Sequence, residues 1–219
     1  LSVSGDWHAA DENPTWRFNA TAYVTEVKDY IDADRCSSPV CSYAANASST
    51  DFVMLQYANH DARLYGIDLS GHTQLLDSAR WGEFTLRGLL GWVRGTNKDT
   101  GDGLYSVMPL HAKLTLEHLL GNWRNALELE GVSSKTHVSD VRNELRTPGY
   151  GLVNLRTSYE WSQLRLDAGV DNLFDRLYYT PLGGTYVGQG RTMMLGTVPW
   201  GTAVPGKGRS INVAIRYTY

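Results

Sequence analysis

The sequence predicts an all-β chain, a transmembrane up-and-down antiparallel β-barrel of about nine strands, on three observations. Apolar and polar residues alternate with a period of two in segment after segment. The connections between those segments are alternately short and long. Aromatic side chains gather beside the short ones. No 3.6-residue period persists, and no run of about 18 apolar residues occurs, so a transmembrane helix does not fit.

The elements follow in order. A partial first strand occupies Leu1–Asp6. Between Thr15 and Thr25, Trp16, Phe18, Ala20, Ala22 and Val24 share one face and Arg17, Asn19, Thr21 and Thr25 the other. From Arg63 to Leu75, Tyr65, Ile67 and Leu69 oppose Asp68, Ser70 and His72; from Trp81 to Arg94, Phe84, Leu86, Leu90 and Trp92 oppose Glu83, Thr85 and Arg87. Leu114 and Leu116 then oppose Lys113 and Glu117, Leu127 and Leu129 oppose Glu128 and Glu130, and Val153 and Leu155 oppose Asn154 and Arg156. Leu164, Leu166 and Val170 oppose Arg165 and Asp167, and the last strand sets Ile211, Val213, Ile215, Tyr217 and Tyr219 against Ser210, Asn212 and Arg216. Short turns are expected at 8–14, 76–80, 120–122 and 160–162, and long loops at 32–50, 95–109, 137–149 and 174–208. In an up-and-down sheet this alternation puts every long loop at one end, the layout of tight periplasmic turns and long extracellular loops.

A soluble β-sandwich also alternates, so further features must decide. The polar face carries both signs of charge on strand after strand, which suits a wet or plugged lumen. Trp81, Trp123, Tyr159, Trp161 and Tyr219 stand beside the short turns, as an interfacial girdle requires. The 219 residues carry a net charge of −3, which argues against a nucleic-acid binder, and their 22 Gly, 7 Trp and 13 Tyr suit loops and girdle. An odd strand count cannot close a barrel with both ends on the periplasmic side. The absence of a visible signal peptide agrees with this. The chain is therefore expected to be the C-terminal part of a longer barrel.

Particular residues then carry a resemblance. Asn172-Leu173-Phe174-Asp175 with Tyr178, at the end of the penultimate strand, resembles a signature of TonB-dependent outer-membrane receptors. Gly208-Arg-Ser-Ile211 and its strand, Tyr57-Ala-Asn59 before Gly66, the strand ending Asp29-Tyr-Ile31, and Pro109-Leu-His111 are similar to that family's other barrel motifs. The resemblance implies a plugged barrel of about 22 strands, of which 1–219 would be the C-terminal portion. It implies a Gram-negative outer-membrane location and uptake of a scarce metal ion, siderophore or metal chelate. The implied partners are outer-membrane lipid and lipopolysaccharide, the upstream strands and plug, and TonB acting through an N-terminal part not matched here. The terminal strand, with Tyr217 and Tyr219, would be the assembly signal.

The stretch 181–205 resembles a subgroup linked to metal uptake, including copper receptors, which implies that Tyr186, Arg191, Met193, Met194 and Trp200 contact ligand. Met193 and Met194 offer thioethers for Cu(I), or pack the loop against the barrel mouth. His60, His111 and His137 lie near extracellular strand ends and are candidate metal ligands beside an ordinary hydrogen-bonding role. Cys36 and Cys41 share one loop and suit a disulfide at an oxidising surface, with a soft-metal site as the sharper alternative. Residues 99–103 read as a Gly/Asp turn rather than a Ca²⁺ loop. Lumen carboxylates Glu83, Glu117, Glu128 and Asp167 are expected to pair with Arg87, Lys113, Arg124 and Arg165. No nucleophilic or paired-carboxylate constellation is present, so no catalysis and no cofactor are expected. The alternative is a self-contained small outer-membrane barrel acting as an enzyme or adhesin.

Overall fold

The computed structural model describes residues 1–10, 15–36, 53–186 and 201–218. Nine strands form one sheet in sequence order, each antiparallel to the next: β1 (Ser2–His8), β2 (Trp16–Arg35), β3 (Leu55–Ser78), β4 (Gly82–Asn97), β5 (His111–Leu120), β6 (Trp123–Val132), β7 (Tyr150–Trp161), β8 (Leu164–Asp171) and β9 (Ser210–Tyr217). No helix occurs among the described residues. β1 and β9 each pair on one side only, so the sheet stays open along two edges.

The register places the two faces as the alternation requires. Phe18, Gly71, Gly88, Leu114 and Leu129 stand in one row across β2 to β6 on the outer face, and Arg17, His72, Arg87, Thr115 and Glu128 stand in the adjacent inner row. The outer face packs on nothing within the chain: Ile211 is 75% exposed, Val213 66% and Ile215 71%. Apolar exposure on that scale marks a surface that meets lipid or another apolar partner, and is foreign to a sandwich core. Among the described residues, the buried apolar ones, Ala33, Ala62, Leu104, Val132, Val138 and Leu152, belong to the long-loop end of the strands and to the loops instead.

At the short-turn end the aromatic girdle is in place. The Trp123 and Tyr159 rings meet edge-on at 4.8 Å, Tyr159 and Trp161 do so at 4.9 Å, and the Arg80 guanidinium covers Trp81 at 5.0 Å. Inside, Arg87 pairs with Glu117 at 2.9 Å, Lys113 with Glu128 at 3.2 Å and Arg165 with Asp167 at 2.9 Å. Three of the expected lumen pairs therefore form.

One boundary differs from the sequence reading. Residues 32–50 were expected to be loop, yet β2 continues to Arg35 and β3 begins at Leu55. A bulge between Val27 and Tyr30, with Asp29 at φ 54°, resets the phase of alternation, and the ladder resumes from Tyr30↔His60 to Arg35↔Leu55. At 20 and 24 residues, β2 and β3 exceed the roughly 9–11 that a tilted strand needs to cross a bilayer, so this hairpin stands proud of the rim. Below it, the Tyr23 hydroxyl sits 2.5 Å from where a Cβ on Gly66 would be, and the Trp92 carbonyl oxygen 2.4 Å from it. Glycine is the residue that admits this approach.

The Asn172–Asp175 motif is a turn that locks β8 to the start of β9. Asn172 is buried with φ 51°, a left-handed conformation that asparagine tolerates. Its amide donates to Asn154 Oδ1 at 2.9 Å, its side-chain oxygen accepts the Arg176 amide at 2.8 Å, and its side-chain NH₂ donates to the carbonyls of Arg176 and Lys207 at 2.9 and 3.2 Å. Asp175 accepts the Arg209 amide at 2.8 Å, and the Leu173 amide donates to the Val153 carbonyl at 2.8 Å. The Tyr178 ring lies over Gly206, where a Cβ would strike it at 2.2 Å, and meets the Tyr150 ring at 4.6 Å. Phe174 points outward, 74% exposed. Replacing Asn172 with Ala removes the side-chain bonds of a buried group, and we expect a loss of about 3 kcal/mol. A lower unfolding temperature in heat-dependent gel migration of the whole protein would register it, and an unshifted transition would refute the assignment.

Candidate functional site

All four long connections lie at one end of the sheet, and three of them meet on one buried ion pair. Lys135 and Glu144 belong to the β6–β7 loop, with side chains 1% and 8% exposed and Nζ 2.5 Å from Oε1. Lys135 Nζ also donates to the Pro181 carbonyl of the β8–β9 loop at 3.2 Å. Glu144 accepts the Ser106 amide of the β4–β5 loop at 2.9 Å and the Ser139 amide at 2.9 Å. A buried pair earns its place when its remaining hydrogen-bonding capacity is also filled, and here it is.

A second tie joins the same loops. Asp102 accepts the amides of Asp140 and Val141, each at 3.0 Å, and the Ser139 hydroxyl at 3.1 Å. Burial alone would raise its carboxyl, but the Val141 and Asp140 amides, the Ser139 hydroxyl and the Gly103 amide hold it below the ordinary carboxylate value. The tall β2–β3 hairpin is fastened in turn. Arg35 donates to the Asp140 and Val141 carbonyls and to Asn143 Oδ1, while buried Asp32 accepts from Asn97 at 3.0 Å and from Arg142 at 3.4 Å. The Asp61 amide, first, and then His60 hold the Asp99 carboxyl low despite some desolvation. The long loops therefore form one connected cap over the polar lumen face.

The candidate metal histidines do not converge. His60 sits between two carboxylates, with Nε2 3.0 Å from Asp34 and Nδ1 3.3 Å from Asp99. His137 points Nε2 at the Gly95 carbonyl, 2.9 Å away, so that nitrogen carries the proton, and Nδ1 accepts from Arg94 at 3.4 Å. His111 lies across Gly91 in the lumen with Nδ1 3.3 Å from the Pro109 carbonyl. The ring nitrogens of His60 and His137 are thus taken by strand-end groups, Asp34, Arg94 and Gly95, and by Asp99 of the β4–β5 loop. Among the described residues, no three His, Cys, Asp or Glu side chains are arranged to hold a metal ion.

Other expected positions are placed in part. Residues 99–103 form the anticipated turn, with Gly101 at φ 74° and its amide donating to the Asn97 carbonyl at 2.9 Å. Tyr186 lies on the outgoing arm of the β8–β9 loop, where its amide donates to the Thr202 carbonyl of the returning arm at 2.9 Å. Tyr217 closes β9 and its hydroxyl donates to Gln163 at 3.1 Å. Cys36 ends the β2 hairpin arm, its amide donating to the Met54 carbonyl at 2.8 Å. Cys41, Arg191, Met193, Met194, Trp200 and Tyr219 lie outside the described residues, and the expected disulfide and thioether site with them. The sequence reading passed over Lys135, Glu144, Asp102, Arg142 and Asp32, which look in sequence like ordinary solvated loop charges.

Two outcomes follow from the cap. Lys135→Met strands Glu144 as a buried unpaired charge, at a cost of about 3–5 kcal/mol. All three joined loops should gain protease sensitivity together. Adding Glu144→Leu should restore only part of the protection, because the Ser106 and Ser139 amides stay without an acceptor. Asp102 has its folded-state pKa below its unfolded one, so its contribution is complete at neutral pH and is lost as pH falls from the ordinary carboxylate range through the folded value. Loop proteolysis across that acid range should show this loss in the parent and a flattened profile in Asp102→Asn; identical profiles would refute it.

Comparison with known proteins agrees with this geometry. Residues 6–173 match the family described as TonB dependent receptor-like, beta-barrel. The Heme/hemopexin utilization protein C of Haemophilus influenzae (strain 86-028NP) is 28% identical over 193 residues, 84% of this chain and 25% of that protein. Among solved structures, the copper transporter OprC superposes with TM-score 0.80 at 21% identity, over 100% of this chain and 30% of its own. The ferric yersiniabactin uptake receptor FyuA of Yersinia pestis superposes with TM-score 0.65 at 15% identity, over 99% and 29%. The chain thus spans about a quarter of the length of the curated relatives it matches. Open antiparallel wall, apolar outer surface, charged inner face and a family match over most of its length lead to one conclusion: the chain belongs to the TonB-dependent receptor-like β-barrel family.

Proposed function

We propose that this chain is the C-terminal portion of an outer-membrane receptor that takes up a scarce metal as an ion, a siderophore or another chelate. In this reading residues 1–219 form the last nine strands of a larger barrel, and the β1 and β9 edges pair with its upstream strands. Unpaired backbone edges in lipid leave polar groups unsatisfied at several kcal/mol each, which supports completion by such strands. The charged inner face borders a plug, TonB acts through the upstream part, and the outer face meets lipid and lipopolysaccharide in a Gram-negative outer membrane.

The observation that carries the reading is the cap. Three long loops and the upper part of β2 are gathered at one end of a membrane-type wall and cross-linked by buried charges, which is the construction a capture surface needs. The names of similar proteins, utilization of heme/hemopexin, transport of copper and uptake of ferric yersiniabactin, support metal as the cargo. Within the cap, Tyr186, Arg191, Met193, Met194 and Trp200 are the proposed contact residues at the last loop, with Met193 and Met194 suited to a soft metal. A Cys36–Cys41 bridge would stiffen the tip of the tall hairpin.

Deleting the gene should abolish TonB-dependent accumulation of one of iron chelate, heme, copper, zinc or cobalamin in cells limited for it, and restoring the full reading frame should recover it. Unchanged accumulation of all five would refute the receptor reading. The isolated 219-residue chain should fail to give a compact, heat-modifiable, protease-resistant band, and obtaining one would instead favour a self-contained barrel.

A further inference from the structure

We infer that Arg63, Arg94 and Lys98 form a docking site for the phosphate groups of outer-leaflet lipopolysaccharide; this rests on the outer-membrane reading above. Alternation carries these charges to the outer face of the wall. Glu26 continues the Phe18-to-Val24 face of β2, Arg63 the face of Tyr65 and Gly71 on β3, and Arg94 the face of Gly88 and Trp92 on β4. The register runs unbroken from the apolar rows up to these positions, so no slip turns them inward. Val24, Tyr65 and Arg94 make one row, and Glu26, Arg63 and Thr96 make the next.

Counting along β4 sets their height. Its outward positions from residue 84 to residue 92 are Phe84, Leu86, Gly88, Leu90 and Trp92, a stretch that matches the roughly 9–11 residues of a tilted crossing. Trp81 marks the lower boundary beside its short turn. At the upper boundary the Tyr65 and Trp92 rings meet edge-on at 5.6 Å, a pair of the kind that settles between lipid and water. Arg94 stands one outward step past Trp92 and Arg63 one step past Tyr65, about 6–7 Å along each strand. That step is the headgroup layer. This is the long-loop end, so the leaflet is the outer one, whose glycolipid carries phosphates.

Charge complementarity names the occupant. Three cations here face one carboxylate: Glu26 accepts from Arg63 Nε and from Lys98 Nζ, the latter at 3.2 Å, while Arg94 gives a contact to His137 Nδ1 at 3.4 Å. The next outward carboxylate, Asp61, stands one step farther from the lipid. Among the described residues the terminal nitrogens of Arg63 take no hydrogen bond, and the Arg63 and Lys98 side chains are 53% and 44% exposed. An anion can therefore reach them. Guanidinium and ammonium donors match phosphate oxygens, and the apolar face directly below receives acyl chains attached to the same molecule. Each basic group beside an anionic lipid surface adds about five-fold in affinity.

The full-length receptor in detergent micelles is titrated with fluorescently labelled lipid A, with its phosphates and with them removed. The phosphorylated lipid should bind more tightly, and raised salt should weaken it. Arg63→Gln and Lys98→Gln should each weaken it about five-fold. Glu26→Gln removes the competing charge, keeps an acceptor for Arg63 and should tighten binding, a sign that a merely structural charge cluster does not produce. Arg17→Gln deletes a charge from the lumen face and should change nothing. Heat-modifiable migration should be the same in all four variants. Arg63 and Lys98 variants that bind like the parent, equal binding of the two lipids, weaker binding by Glu26→Gln, or an equal loss in Arg17→Gln would each overturn the proposal. A parent that prefers the phosphorylated lipid but accumulates no metal or chelate in cells would overturn the uptake reading and leave this site standing. Recovery of the parent outside the outer membrane would overturn both.

Discussion

Pairing of backbone polar groups is the constraint on which everything else here rests. A sheet that faces lipid has no water to take up a free N–H or C=O, so each strand must be matched along its length by its neighbours. The continuous β1-to-β9 ladder meets that demand, and the side-chain pattern follows from it. Once the backbone is fixed as a pleated wall, successive side chains must point alternately to lipid and to lumen. The outer face then becomes Leu, Val, Ile and aromatic, and the inner face becomes ion pairs such as Arg87–Glu117. Stability in such a wall comes from the ladder and from cross-strand pairs, with almost no buried apolar core of the usual kind.

Above the rim the constraint relaxes and a different economy takes over. Water is available, loops can be irregular, and shape is held by polar contacts. Lys135 and Glu144 are buried because three loops converge on them, and their bonds are filled by backbone groups from those loops. His60 between Asp34 and Asp99 and Asp32 between Asn97 and Arg142 extend the same principle to the tall hairpin. The cap is thus organised to hold a surface in one shape.

Nine strands, their order and the facing of Trp16, Phe18, Arg87 or Ile211 were legible in the sequence because a period of two is a local property. The ends of β2 and β3 were not, because the bulge at residues 28–29 shifts the phase and makes a continuing strand look like a loop. Asn172 was recognisable as a motif, yet its four hydrogen bonds to three other residues explain it only once β7 and the last loop stand beside it. The histidines show the opposite failure. His60 and His137 fell near strand ends as expected, but a strand end does not say which neighbouring group will occupy a ring nitrogen.

The sequence by itself determined the wall: its all-β character, its membrane-facing surface and the end at which the long loops gather, since each depends on neighbours one or two residues away. Only the tertiary structure decided the cap. Ser106 meets Glu144 across 38 residues and Arg142 meets Asp32 across 110. Charges joined over such separations carry no local period, so their burial exists only once the sheet has set the distances between the loops.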